Sequence, residues 1–305
     1  MRRRLTHGLS ALAIALCTLQ RPALALSPVP TPAAPAQART QYWCPMHPDV
    51  RSETRGVCPI CGMKLVAMPP VRFRSYPVDL RATPTVSGVR LRLAVTNAST
   101  HAIVRRFETV HERTMHVFVV SEGLDFFAHE HPVLQRDGVF MLDLSLPQRG
   151  AYMAIAEFLP VGGTPQTFQQ TFTTGEWFAR RPAPTPDAAP KTVDGMRISI
   201  DPSSLKSGEI GKLTFRVEDA ASAAPVTDLE PYLGASAHLL IVPVDLTEAI
   251  HGHPTADEKG PVLAFAPLIP RNGRYKLWLQ IQRRGIVSTA PFVIDVPANQ
   301  EVLRF

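Results

Sequence analysis

Residues 115–132, MHVFVVSEGLDFFAHEHP, recur 122 positions later as residues 237–254, AHLLIVPVDLTEAIHGHP. Each copy opens on a short apolar run, turns at Gly123-Leu124 or at Asp245-Leu246, and closes on H-x-H-P. A strand-length apolar run, a turn and a second short run predict a β-hairpin. Pairing 115–121 with 126–131 places His116 opposite His131 and Phe118 opposite His129. Directly opposed residues share a face of a pleated pair, as do residues two apart along one strand. His116, His129 and His131 therefore emerge together near the open end of the hairpin. The same construction gathers His238, His251 and His253 in the second copy. A one-residue bulge would turn His116 to the other face and break the set.

The overlay extends outward. Residues 91–132 lie on 213–254 without a gap, with Leu91 on Leu213, Val95 on Val217 and Glu108 on Glu230. After one residue of slippage, Tyr152 meets Tyr275. Residues 89–95 (VRLRLAV) and 212–217 (KLTFRV) alternate with the period of a half-buried strand. Further short runs at 139–144, 151–158, 275–281 and 291–296 are separated by Gly, Pro, Asn and Asp, and no long stretch sustains a helical period. The pattern predicts a mainly β chain with two tandem antiparallel β-sandwich domains of immunoglobulin-like or cupredoxin-like kind, residues 70–180 and 192–305. A Pro/Ala-rich segment, 181–191, divides them.

Six of the eight histidines in these blocks fall in the two triples. The others, His101 and His111, face Ala223 and Leu233 in the overlay. A duplication copies idle residues as well as useful ones, so metal ligation, a hydrogen-bonded structural role and plain surface histidine all remain readings of the triples. Yet most overlaid positions have diverged while all three His pairs persist, and an apolar core has no use for imidazole. Three neutral imidazoles suit Cu(II) or Zn(II), with a coordination position left open. Met115 alternates onto the opposite face and reads as core. Glu130 is replaced by Gly252 in the second copy.

Ahead of the repeats stands a different signal, residues 42–66, YWCPMHPDVRSETRGVCPICGMKLV. Cys44-x2-His47 and Cys58-x2-Cys61 each let one tight turn offer two ligands, and together they form a tetrahedral set of three sulfurs and one nitrogen. Met46 and Met63 are auxiliary ligand candidates. A disulfide-closed turn is the competing reading of Cys58 and Cys61.

This segment, 42–68, resembles the short heavy-metal-binding domain of copper and silver efflux proteins, through its YxCPMHP opening and CPxCGM close. The resemblance implies a soft ion, Cu(I) or Ag(I) before Zn(II), and thiolate and thioether ligands select the same ions by softness. More loosely, the histidine triples, the G-x-Y strands and the closing Pro291-Phe292-Val293 strand are similar to exported YtkA-like β-sandwich domains associated with copper handling.

The N-terminus reads as a secretory signal: Arg2, Arg3 and Arg4, an apolar run from Leu9 to Leu19, and Ala23-Leu24-Ala25 for cleavage near Ala25. The apolar run is too short to span a bilayer, so the mature chain is expected without a transmembrane segment, periplasmic or secreted. Removing residues 1–25 deletes four arginines and no acid, taking the formal charge from +6 to +2. The basic balance thus belongs mostly to the leader and gives no reason to expect nucleic acid. Residues 26–41 are Pro/Ala-rich and read as an extended linker.

These features predict a non-enzymatic exported protein that sequesters, buffers or transfers copper or silver, with zinc a further candidate. It would bind Cu(I) at Cys44, His47, Cys58 and Cys61, and Cu(II) at the histidine triples. A membrane efflux or copper-transfer protein is the expected partner. Two alternatives stand beside this: an accessory docking subunit of a metal efflux system, and a copper-dependent oxidoreductase using a three-histidine site.

Overall fold

The computed structural model describes residues 41–45, 50–60, 62–67, 75–175, 182–256 and 258–299. The expected leader, nearly all of the first linker, and Met46, His47 and Cys61 lie outside the described residues. Among the described residues there is no helix.

The first element is a three-stranded antiparallel knuckle. Its strands β1 (Tyr42–Trp43), β2 (Arg51–Ser52) and β3 (Val66–Ala67) are ordered β2-β1-β3. The first sandwich follows with β4 (Val78–Pro84), β5 (Gly88–Val95), β6 (Met115–Ser121), β7 (Phe127–Glu130), β8 (Val133–Leu134), β9 (Val139–Ser145), β10 (Ala151–Phe158) and β11 (Gln166–Thr173). Its two sheets are β4-β5-β9-β8 and β11-β10-β6-β7. The second contains β12 (Lys191–Val193), β13 (Met196–Asp201), β14 (Leu213–Asp219), β15 (His238–Pro243), β16 (Ile250–Gly252), β17 (Val262–Phe265), β18 (Gly273–Arg283) and β19 (Ile286–Val296). Its sheets are β12-β13-β14-β17 and β16-β15-β18-β19.

Each sandwich closes over its own core. Leu91, Leu93, Val117, Val119, Phe140 and Tyr152 lie in the first core, and Leu213, Phe215, Leu239, Ile241, Tyr275 and Phe292 in the second. Met115 is buried in the first core, as its place in the alternation requires. Equivalent tyrosines fasten both sandwiches: the Tyr152 hydroxyl donates to the Gln148 carbonyl at 2.6 Å, and that of Tyr275 to the Arg271 carbonyl at 2.7 Å. Such a bond to backbone four residues upstream is the tyrosine corner of immunoglobulin-like sandwiches. The strand order, the paired sheets and this corner establish a mainly β chain with tandem immunoglobulin-like sandwiches.

β6 and β15 are buried along their whole length, on both faces. Their inner faces enter their own cores. Their outer faces meet each other, because sheet β11-β10-β6-β7 packs on sheet β16-β15-β18-β19. Phe118, Val120, Leu124, Met153 and Ile155 of the first repeat and Leu240, Val242 and Trp278 of the second form one buried cluster. Phe127 stacks on Trp278 with ring centroids 5.1 Å apart. A strand buried on both faces reads as a continuous apolar run, not as an alternation, which is what HVFVV and HLLIV are.

Leu124 and Leu246 hold the two equivalent hairpin turns at φ 57° and 58°. This left-handed region costs a branched residue about 1 kcal/mol or more. Both leucine side chains pack in the apolar cluster between the repeats, a return that glycine could not supply.

The segment expected as the second linker is not free of the second sandwich. Asp187 forms an isolated bridge with Val293, the Arg274 guanidinium donates to the Pro184 carbonyl at 3.3 Å, and Lys191 already begins β12.

Candidate metal centre

The hairpin register matches the sequence-based one. In the first repeat Val117 pairs with Glu130 and Phe118 with His129. In the second, Leu239 pairs with Gly252 and Leu240 with His251. No bulge intervenes, so His116, His129 and His131 share one face, as do His238, His251 and His253. Within each triple, one nitrogen from every ring lies within 4.8 Å of the others. They are not surface histidines: His116, His129 and His238 are buried, and the other three are partly so.

What sequence could not supply is that the two triples meet. The face they occupy is the one that joins the repeats, and ring centroids of His129 and His238 come within 5.4 Å across it.

Hydrogen bonds fix the rings in a symmetric scheme. His116 Nε2 lies 2.9 Å from the Val110 carbonyl, and His238 Nε2 lies 2.8 Å from the Tyr232 carbonyl. A carbonyl only accepts, so each Nε2 carries the proton and each Nδ1 is left with its lone pair. The middle histidines are held from the opposite repeat. His129 Nδ1 donates to Gln280 Oε1 at 2.8 Å, and His251 Nδ1 donates to Glu157 Oε2 at 2.7 Å. Glu157 lies beside His116 across the β6–β10 pair, and Gln280 beside His238 across β15–β18. Each residue thus neighbours one triple and orients the middle ring of the other.

Unprotonated nitrogens are consequently aimed at one another. His116 Nδ1 and His129 Nε2 are 3.0 Å apart. In the second triple His238 Nδ1 lies 3.1 Å from His251 Nε2, while His253 Nε2, at 3.0 Å, is free to donate its own proton to His238 Nδ1. Two lone pairs at that distance repel unless a cation lies between them. A proton is poorly placed to do this in the first triple. Burial lowers His129 to about 2 and His116 to about 4, so both rings are neutral near pH 7. Burial likewise lowers His131 to about 4, and holds His238 and His253 well below the ordinary imidazole range. The Glu157 carboxyl is pushed up by burial, but its interactions with His251, the hydrogen bond included, outweigh this and hold it below the usual carboxylate value.

Sequence reasoning missed three participants. Glu157 and Gln280 belong to strands read only as apolar runs. His111 has no counterpart in the overlay, where it faces Leu233. It is buried, and its ring stacks on that of His253 with centroids 4.0 Å apart. One signal was legible: a charged Glu157 inside an otherwise apolar strand of eight residues. A cavity of ≈ 190 Å³ opens onto His111, His116, Glu157, His251 and His253, and Pro45 of the knuckle stands in its wall.

In the knuckle, Cys44 and Cys58 are buried together with Leu65, and Met63 packs against them. The Gly62 N–H donates to the Cys58 carbonyl at 2.8 Å, and the Cys58 N–H to the Met63 carbonyl at 2.7 Å. Gly62 takes a left-handed φ of 71° in that tight turn. The placement of Met46, His47 and Cys61 lies outside the described residues.

Comparison with known proteins agrees on metal. Residues 41–68 match the model of a heavy metal binding domain. Residues 72–176 and 191–298 match that of a domain of unknown function (DUF8832). No curated protein matches the chain. Similar solved structures include a two-domain fibronectin type III segment of chicken tenascin, 14% identical, covering 73% of this chain and 100% of that one at a TM-score of 0.22. Another is the FN1–FN3 segment of chicken CNTN1, 11% identical, covering 80% of this chain and 76% of that one at a TM-score of 0.20. Likeness at that level adds nothing to the strand order described above. The chain carries a heavy metal binding domain ahead of two sandwich repeats, and it belongs to the DUF8832 family.

Proposed function

We propose that this protein is a non-enzymatic, exported metal-handling protein that binds copper or silver in two chemically different compartments. The knuckle would take Cu(I) or Ag(I) through Cys44, His47, Cys58 and Cys61, with Met46 and Met63 as auxiliary thioethers. The paired triples would take Cu(II), with Zn(II) a competitor, through neutral imidazoles. The observation that carries the histidine half is the approach of His116 Nδ1 and His129 Nε2, both without a proton, to 3.0 Å. Neutral nitrogens converging in this way are arranged for a cation. Their other ring nitrogens are tied to a carbonyl, an amide oxygen or a carboxylate, the usual outer support of a metal-bound histidine.

Two ligand classes in one compact unit fit storage of a soft and a borderline ion side by side better than a single catalytic ion. Pro45, next to Cys44, stands at the cavity that reaches the histidines, so the two compartments are neighbours.

Metal content of the full chain tests this reading. Cys44→Ser should abolish tight Cu(I) binding and leave Cu(II) binding in place, whereas His129→Ala should weaken Cu(II) binding at the first triple and leave Cu(I) binding in place. Loss of all binding in Cys44→Ser alone would remove the histidine half of the reading.

A further inference from the structure

The two triples are too close to act independently. Across the repeat interface the ring centroid of His129 lies 5.4 Å from that of His238 and 6.0 Å from that of His251, and His116 lies 6.2 Å from His251. Within the triples the separations run from 4.5 to 5.4 Å. The six imidazoles therefore form one continuous cluster. Charge is felt across it. Beyond the effect of burial, a positive charge on His251 lowers both His116 and His129 of the other repeat.

A metal ion lies about 2 Å from an imidazole nitrogen, hence about 3 Å from the ring centre. With His129 holding one ion and His238 another, the 5.4 Å between their rings keeps the two ions within about 12 Å of each other. Two divalent charges at that distance oppose each other by about tenfold in affinity even at the dielectric constant of water. Between buried rings the medium is less polar and salt screens less, so the opposition is stronger.

Compensation for this charge is one-sided. The Glu157 carboxylate accepts a hydrogen bond from His251 in the second triple at 2.7 Å, whereas His129 in the first donates to the neutral Gln280 amide at 2.8 Å. Glu157 is only a cross-strand neighbour of His116. Beyond burial and the neighbouring His116, the Arg113 charge also lowers His131 of the first triple. A cation is thus better accommodated by the second triple than by the first.

We propose that the six histidines are a charge-coupled pair of Cu(II) sites that fill in a fixed order. His238, His251 and His253 take the first ion, and its charge weakens His116, His129 and His131 toward a second. The first triple is then the labile site, which gives up its ion while the other is retained. This coupling rests on the proposed Cu(II) binding at the triples.

The test uses the full chain with its four cysteines replaced by serine, titrated with Cu(II) against a competing chelator. Two ions should bind in two resolved steps. His253→Leu should weaken the first step, and His131→Leu the second alone; the opposite assignment overturns the order of filling. Coupling is measured by disabling the second triple with His238→Leu and His253→Leu, which leaves the His251–Glu157 bond in place. The first triple of that variant should bind its single ion at least about tenfold more tightly than the parent binds its second. Equal affinities overturn the coupling. If the variant melts well below the metal-free parent, electron paramagnetic resonance of the parent decides. Two Cu(II) ions so close should broaden each other's signals at two equivalents relative to one, and two sharp additive spectra overturn the coupling. If the parent takes up no Cu(II), the underlying metal reading fails and the inference with it.

Discussion

Glu157→Gln isolates the cross-repeat support of the second triple, because Gln280 shows that a glutamine fits the equivalent place. In the wild type the His251 Nδ1–H donates to Glu157 Oε2 at 2.7 Å, and the carboxylate is held ionised by that histidine. In the variant an amide oxygen accepts the same proton, as Gln280 Oε1 does from His129 at 2.8 Å. Shape and hydrogen-bond count are kept, and one buried negative charge is lost. That charge increases the donor strength of His251 Nε2 and offsets the charge of a bound cation. Losing such an outer partner costs about 10–100-fold in affinity, or about 1.4–2.8 kcal/mol. The loss should fall mainly on one ion of two, since Glu157 hydrogen-bonds the middle histidine of the second triple and is only a cross-strand neighbour of His116 in the first. Competition titration with Cu(II), fitted to two sites, measures it. Gln280→Glu should tighten the first site in the same assay. An equal change at both sites in Glu157→Gln, or none at either, would refute a metal-supporting role for this carboxylate.

Two other outcomes follow from the same contacts. Trp278 is 4% exposed and stacked on Phe127; Trp278→Ala should cost about 3–5 kcal/mol of stability, read by urea denaturation. It should also weaken both histidine sites, because Glu157 and Gln280 reach their rings only while the sheets are packed; unaltered metal affinity would contradict that dependence. Metal-free protein should lose stability in acid. Burial holds His116 and His131 at about 4 and His129 at about 2, against an ordinary value of 6.5. Between those values the unfolded chain binds more protons, so stability present above pH 6.5 is lost as the pH falls toward 4. Denaturation midpoints at about pH 7.5 and about pH 5 should differ in that direction, and a flat profile would show that these imidazoles are not buried in the neutral form.

The sequence by itself determined what is local or strictly periodic. The side-chain alternation of a strand is fixed by backbone geometry, so a hairpin register placing Phe118 opposite His129 already put three imidazoles on one face of each repeat. The spacing of Cys44, His47, Cys58 and Cys61 predicted a metal knuckle for the same reason, since two short turns carry their ligands with them, and residues 41–68 do match a heavy metal binding domain. The internal overlay assigned one fold to both halves. Only the tertiary structure decided that the two histidine faces are pressed together. Sheet-to-sheet packing depends on which apolar outer faces match in shape, and Phe118, Ile155, Leu240 and Trp278 look in sequence like ordinary core residues. Once packed, that interface brings His251 to Glu157, His129 to Gln280 and His111 to His253 across the repeats. These contacts join residues with no fixed spacing along the chain, so no pattern within either repeat could encode them.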